Sequence, residues 1–506
     1  MPRVRAAEVA PVQIDSGLVR GTLSERFDEV IVFRGIPYAD TTAGANRWRP
    51  PQPVKPWDGI CDCQQFGPAC PQAPYPKDSV YYREPEAQSE DCLSLNVWTA
   101  GLTGDKRPVM VWIHGGALTR GSGSVGVYDG ASLARKGVVI VTINYRLGPL
   151  GFFAHPELTS ESAEHAAGNY GLLDQIAALR WVQRNIAQFG GDPGCVTIFG
   201  ESAGSLSVNA LVASPLAQGL FHRAIGQSGT AFRNLPTLAE AESAGAEFAT
   251  KVDASDLATL RQLSAEELLA RAARQGEIRG NLNCDGWSLP EDVKATFLAG
   301  RQHRVPTIAG SNADEMTTLA PLATRPRDRR GFEAQVALTL GNVDEVQRLY
   351  PVASDGDAPR AYLDLLGDVS FTLPARSWAR WATASGSRVY LYQFTRVAPF
   401  AAVAKIGAYH AAEIAYVFDN LDMLPRKFTD ADRKLAETMS AYWVAFAKMG
   451  DPNVAGLPSW PAYNPADEPY LAFGDSATLE HHLRQEKLDL IERLLVERAR
   501  LAGPRN

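Results

Sequence analysis

Cysteine is scarce in this chain: six in 506 residues, too few for a disulfide-stapled scaffold. Basic excess is lacking too. Fifty Lys and Arg face fifty-seven Asp and Glu, a formal charge of −7, whereas a groove that tracks phosphates needs positive charge. No nucleic-acid partner is expected. No run approaches the ~20 apolar residues that span a bilayer, so no membrane partner is expected either. The start, Met1-Pro-Arg-Val-Arg5, carries charge but no apolar stretch of ~7–15 residues behind it. No Asn opens an Asn-x-Ser/Thr triplet. The expected setting is the bacterial cytoplasm, or a secreted or periplasmic one if a leader was removed. Repeats and low-complexity tracts are missing, and the densest charge cluster, Arg325 to Arg330, reads as a solvated loop. At 45% hydrophobic and 21% charged residues, the chain is globular rather than disordered.

Short apolar runs without alternation are the main regular feature. Val109–Ile113, Val138–Ile143 and Val196–Phe199 read as strands buried on both faces, with further strands near Val305–Ile308 and Val389–Tyr392. Gly17–Gly21 and Val30–Phe33 read as a hairpin. Pro50 to Pro85 reads as irregular surface. Leu172, Ile176, Leu179, Val182 and Ile186 draw one stripe along a helix, which Gly190-Gly191-Asp-Pro193 stops. A second stripe, Leu488, Ile491, Leu494 and Leu495, suits a C-terminal helix docked on its own domain. Strand, helix, strand, helix is the grammar of an α/β fold with a large, mostly parallel central sheet.

The third buried run leads straight into Gly200-Glu-Ser-Ala-Gly204, the chain's single G-x-S-x-G match. In a strand-to-helix turn this tight the central serine projects from the sheet, and glycines two positions away avoid Cβ clashes. Ser202 is therefore the expected nucleophile. Attack on a carbonyl builds an oxyanion, best held by backbone N–H groups fixed in advance. His114-Gly115-Gly116-Ala117 ends an earlier strand and offers such a loop, and Ala203 follows the nucleophile. His114 precedes the serine and reads as a loop-shaping residue. Gly115, Leu118 and Thr119 are expected to line the pocket. Arg120 could favour anionic esters, against the plainer reading of a solvated or paired arginine.

A serine nucleophile needs a base, and the base an acid to fix its tautomer, in the chain order Ser, acid, His on this fold. Of His222, His303, His410, His481 and His482, only His410 is remote enough and flanked by small residues. Asp314 and Glu315, after the Val305 strand, stay tied as the acid.

Phe189-Gly-Gly-Asp-Pro with Val196-Thr-Ile-Phe-Gly-Glu-Ser-Ala-Gly204 resembles the serine signature of type-B carboxylesterases, the cholinesterase-like α/β-hydrolases. Glu90-Asp-Cys-Leu-Ser-Leu-Asn-Val-Trp98 resembles their second signature. Phe33-Arg-Gly-Ile-Pro-Tyr38, Asn144-Tyr-Arg-Leu-Gly148, Gly168-Asn-Tyr-Gly-Leu-Leu-Asp174 and Gln227-Ser-Gly229 extend the likeness over nearly the whole chain. His-Gly-Gly-Ala is similar to the loop of bacterial p-nitrobenzyl esterases. The resemblance implies one α/β-hydrolase domain over 1–506, with cap-like insertions around 61–92 and 316–400. It selects Glu315 as acid and His410 as base, and assigns the oxyanion to the amides of Gly116, Ala117 and Ala203. It also implies a disulfide between Cys70 and Cys92. Departures matter as well: no tryptophan stands between those cysteines to hold a quaternary ammonium, which disfavours choline esters.

The implied activity is hydrolysis of small carboxylic esters through an acyl-enzyme, with no cofactor and no metal, by a monomer or weak homodimer. The base must be neutral, so activity is expected to fall as pH drops through a pKa of ~6–7. Carbamate or amide hydrolysis on the same machinery is the alternative, and a non-catalytic binding protein a remote one. Gly121-Ser-Gly-Ser-Val-Gly126 matches a dinucleotide loop but lacks the acid ~20 residues further on. Cys61, Cys63 and Cys70 lack a fourth ligand at zinc spacing.

Overall fold

A computed structural model describes residues 9–502 apart from 103, 255, 277–279 and 322–323; the N-terminal start lies outside the described residues. Eleven strands form one sheet. In chain order they are β1 (Thr22–Leu23), β2 (Ile31–Pro37), β3 (Ser94–Thr99), β4 (Arg107–Ile113), β5 (Val139–Ile143) and β6 (Gly191–Glu201). β7 (Arg223–Gln227), β8 (Thr307–Asn312), β9 (Val389–Phe394), β10 (Pro469–Phe473) and β11 (Ala477–His481) complete it. The spatial order is β11-β10-β9-β8-β7-β6-β4-β5-β3-β2-β1. From β5 across β4 to β10 every neighbour is parallel, and antiparallel strands finish both edges.

The lack of alternation has a direct cause. Val109, Val111 and Ile113 of β4 point into one core, while Met110 and Trp112 point into a second on the opposite face. Both faces are covered, so both sets are apolar. Helix Tyr170–Asn185 lays Leu172, Ile176, Leu179 and Val182 on the first core, and Gly190 ends the following turn at φ 75°. The C-terminal helix Gln485–Ala502 buries Leu488, Ile491 and Leu494 in a third cluster with Phe332, Val336 and Val346. No helix of the described residues is long and apolar enough to cross a membrane.

Two boundaries differ from the sequence reading. Gly17–Arg20 does not pair with the Val30 segment; it joins Val12–Ile14 and Ile60–Asp62 in a separate small sheet. Gly21 packs so tightly that a Cβ there would lie 2.4 Å from the Val32 carbonyl oxygen, and it is Thr22–Leu23 beyond it that pairs with β2. The excursion expected over 316–400 ends earlier, because β9 re-enters the sheet at Val389.

Candidate active site

The carboxyl ends of parallel strands collect the functional side chains, as ligand sites in open α/β sheets do. β6 ends at Glu201, and Ser202 adopts φ 56° and ψ −120° before helix Ala203–Ala213 begins. That strained conformation is clamped from both sides. Ser202 N–H donates to the Gln227 carbonyl of β7 at 2.8 Å, and Leu206 N–H donates to the Ser202 carbonyl at 2.9 Å. A Cβ on Gly200 would meet the Ile113 carbonyl oxygen at 2.6 Å, and one on Gly204 would meet it at 1.9 Å. The two glycines let the elbow press against β4.

β4 delivers the facing loop. Gly116, Ala117 and Leu118 all lie at positive φ, and Gly116's carbonyl accepts from the amides of Thr119 and Arg120 at 3.0 Å each. The loop is pressed on the elbow: a Cβ at Gly115 would stand 3.1 Å from that of Ser202. Among the described residues no acceptor takes the N–H of Gly116, Ala117 or Ala203. His114 shapes this loop as expected. It is buried, stacked on Tyr145 at 4.4 Å, with Nδ1 2.8 Å from the Gly115 carbonyl, and burial pushes its pKa down to about 3.

His410 and Glu315 meet at 2.5 Å through Nδ1 and Oε2, both buried. Glu315 Oε1 accepts the Asn312 N–H at 2.7 Å, so its carboxylate is anchored to the end of β8. Asp314 faces away, accepting from Ala408 N–H at 2.7 Å and pairing with Arg360. The remaining histidines make contacts elsewhere: His303 with the Ser214 carbonyl, His222 with Val196 N–H, His481 with Asp467. Among the described residues His410 Nε2 has no hydrogen-bond partner, although Glu201 Oε1 lies 3.0 Å away in ion-pair range. Ser202 Oγ and His410 Nε2 are not hydrogen-bonded to each other. Such bonds commonly close only around substrate.

The sequence reading missed Glu201, which changes the acid–base balance. Burial drives the His410 pKa down, but the Glu201 and Glu315 carboxylates outweigh it and raise it to about 9, above the ~6–7 first expected. Burial also raises Glu201 well above the ordinary carboxylate range. Its position, the variable residue of the elbow, was visible in sequence; its burial was not. Glu413 accepts from Gln227 Nε2 at 3.0 Å and Asn312 Nδ2 at 2.6 Å, which makes the Gln227 and His-x-x-Glu motifs part of one network under the site. Tyr81, from the irregular segment, donates to the His410 carbonyl at 2.9 Å.

Ser202 sits at the junction of two cavities. The first, about 740 Å³, takes Gly115, Gly116, Ala117, Thr119, His410 and Tyr81 into its wall. The second, about 650 Å³, is walled by Ala117, Leu118, Thr119, Ala203, Leu206 and Phe371. Thr119 borders both, whereas Leu118 is only 1% exposed and borders the second alone.

The implied Cys70–Cys92 disulfide is not formed. Both are free buried thiols, Cys70 Sγ accepts from Leu147 N–H at 3.3 Å, and the neighbouring Cys70 thiol together with burial pushes the Cys92 thiol well up.

Residues 8–491 match the model of the Carboxylesterase family. The chain is 38% identical over 499 residues to the fumonisin B1 esterase of Sphingopyxis macrogoltabida, covering 93% of this chain and 88% of that protein. It is 36% identical to the para-nitrobenzyl esterase of Bacillus subtilis, over 93% and 96% of the two chains. The solved Geobacillus stearothermophilus carboxylesterase superposes with a TM-score of 0.84 at 34% identity, over 95% of this chain and 99% of that one.

Proposed function

From the premise that this chain belongs to the carboxylesterase family and is a carboxylic ester hydrolase, we propose that Ser202, His410 and Glu315 carry its reaction. Ser202 Oγ attacks the ester carbonyl as His410 Nε2 takes its proton. Glu315 stabilises the resulting imidazolium through Nδ1–H. The negative charge on the carbonyl oxygen falls to the amides of Gly116, Ala117 and Ala203. Collapse expels the alcohol, which takes the proton from His410; water then repeats the sequence and frees the acid and the serine.

The observation that carries this reading is the 2.5 Å His410–Glu315 bond, with the unpartnered Nε2 on the cavity that the strained Ser202 borders. Release of p-nitrophenol from acetate, butyrate and octanoate esters tests it. Ser202→Ala should lose ~10⁴-fold or more in kcat, and equal rates in both proteins would remove Ser202 as nucleophile. One sheet drawing strands from Thr22 to His481 supports reading the chain as one domain. Six free thiols suit a reducing compartment such as the bacterial cytoplasm.

A further inference from the structure

Two guanidinium groups on the wall of the first cavity have no ionic partner among the described residues. Arg83 and Arg120 both border it, and each guanidinium carbon lies 5.3 Å from the centroid of the Tyr75 ring between loop and pocket. Among the described residues neither forms an ion pair or donates a side-chain hydrogen bond, and Arg120 Nε is buried without a partner. By contrast the buried arginines among the described residues, Arg47, Arg146 and Arg376, each hold carboxylates: Glu90, Asp174, and Asp489 with Glu492. Stacking on a ring engages only the face of a guanidinium; its N–H edges remain open for a planar, bidentate acceptor.

The acidic groups nearby do not close that account. Glu86 accepts from Ser124 Oγ at 2.8 Å and Glu84 from Tyr82 OH at 3.2 Å, and neither reaches an arginine. Glu201, also on this wall, faces His410 Nε2 at 3.0 Å rather than either arginine. Arg120 is moreover tied to the oxyanion loop, since its N–H donates to the Gly116 carbonyl and the Tyr75 hydroxyl sits 3.2 Å from where a Gly116 Cβ would stand. The cation is thus held at a fixed offset from the carbonyl that Ser202 attacks. The departing alcohol must take its proton from His410, which borders the first cavity and not the second, so the alcohol portion occupies the first.

Resting on the proposed esterase reading, we infer that the enzyme selects esters whose alcohol portion bears a carboxylate, read by Arg120 and Arg83 in the first cavity. The neutral amide isostere of such an ester leaves both guanidinium edges unanswered. Charge-assisted contacts in a partly desolvated wall give a preference on the order of ten- to a hundredfold.

Hydrolysis of 3-acetoxybenzoate beside 3-acetoxybenzamide tests this, each rate divided by its hydroxide-catalysed rate. The wild type should favour the carboxylate by about tenfold or more in kcat/KM, chiefly through KM. Arg120→Gln and Arg83→Gln should each cut that ratio several-fold, with Arg120→Lys keeping part of it. Because both esters are run on one preparation, titrated by a covalent organophosphate, loss of folded protein cannot imitate a change in the ratio. A wild-type ratio near one, or a ratio unmoved in both Gln variants, overturns the inference. So does a preference confined to acyl carboxylates, mono-p-nitrophenyl glutarate over its amide, that Arg233→Gln abolishes at the second cavity. Failure of the wild type to hydrolyse either ester would instead overturn the proposed function.

Discussion

At the residue scale the site is governed by carboxylates packed around one imidazole. As the proposed base His410 acts only when neutral, and a pKa raised to about 9 means that protonated imidazole persists through neutral pH. Activity is therefore lost as pH falls below that value and rises toward it. The ascending limb of kcat/KM against pH reports this group in the free enzyme, shared with Glu201 as a coupled pair. Glu201→Gln removes a carboxylate 3.0 Å from Nε2, so the limb should move to lower pH, toward the ordinary value of 6.5. A limb that stays in place would show that Glu201 is already uncharged where His410 titrates. Ser202 and His410 were proposed from residue type, spacing and order, and the structure brings both to the first cavity. The choice between Asp314 and Glu315 was not readable from pattern, since it depends on which carboxylate the turn after Asn312 aims inward, and only the family likeness separated them. Glu201 was passed over because a variable motif position carries no sign of being buried beside the base.

Among the elements, the buried strands were legible for the reason that they face two cores, and helix Tyr170–Asn185 because its stripe faces one. The N-terminal hairpin was misread because short edge strands carry few residues and hence little periodicity; their pairing is decided by contacts such as Gly21 against Val32. The elbow shows the opposite case, a local motif whose meaning is set by a neighbouring element. Its glycines are needed because β4 passes within contact distance, and β4 also carries the proposed oxyanion loop. Gly204→Ala would drive a methyl to 1.9 Å from the Ile113 carbonyl, a backbone atom that cannot rotate away. Separating helix Ala203–Ala213 from β4 should cost about 3 kcal/mol, the upper range for overpacking, and should pull Ser202 off its loop. The denaturation midpoint and the active-site titre should fall together. An unchanged midpoint would mean that the helix shifts freely, contrary to the clamp described above.

For the whole molecule, the strand order β6-β4-β5-β3 could not be read from the chain, because parallel pairing is decided by crossovers whose length and polarity leave several orders open. Several motifs that carry the family resemblance fix this architecture. Glu90 of the second signature holds Arg47, and Arg146 and Asp174, in two separate motifs, hold each other. Asp174 accepts from Arg146 N, Nε and Nη2 at 3.0, 2.8 and 2.7 Å, with both side chains at most 2% exposed. The pair pins helix Tyr170–Asn185 to the segment leaving β5, whose Leu147 N–H meets Cys70 and whose Gly148 N–H meets the Leu118 carbonyl of the oxyanion loop. A buried ion pair gains little over apolar residues of the same size, yet breaking one strands a charge. Asp174→Leu and Arg146→Met should each cost about 3–5 kcal/mol, whereas the two together should recover much of that loss. Denaturant midpoints of the four proteins measure the coupling. Additive losses in the double variant would mean that the two groups act separately, and the tie between helix layer and catalytic loop would then have to lie in the surrounding apolar packing.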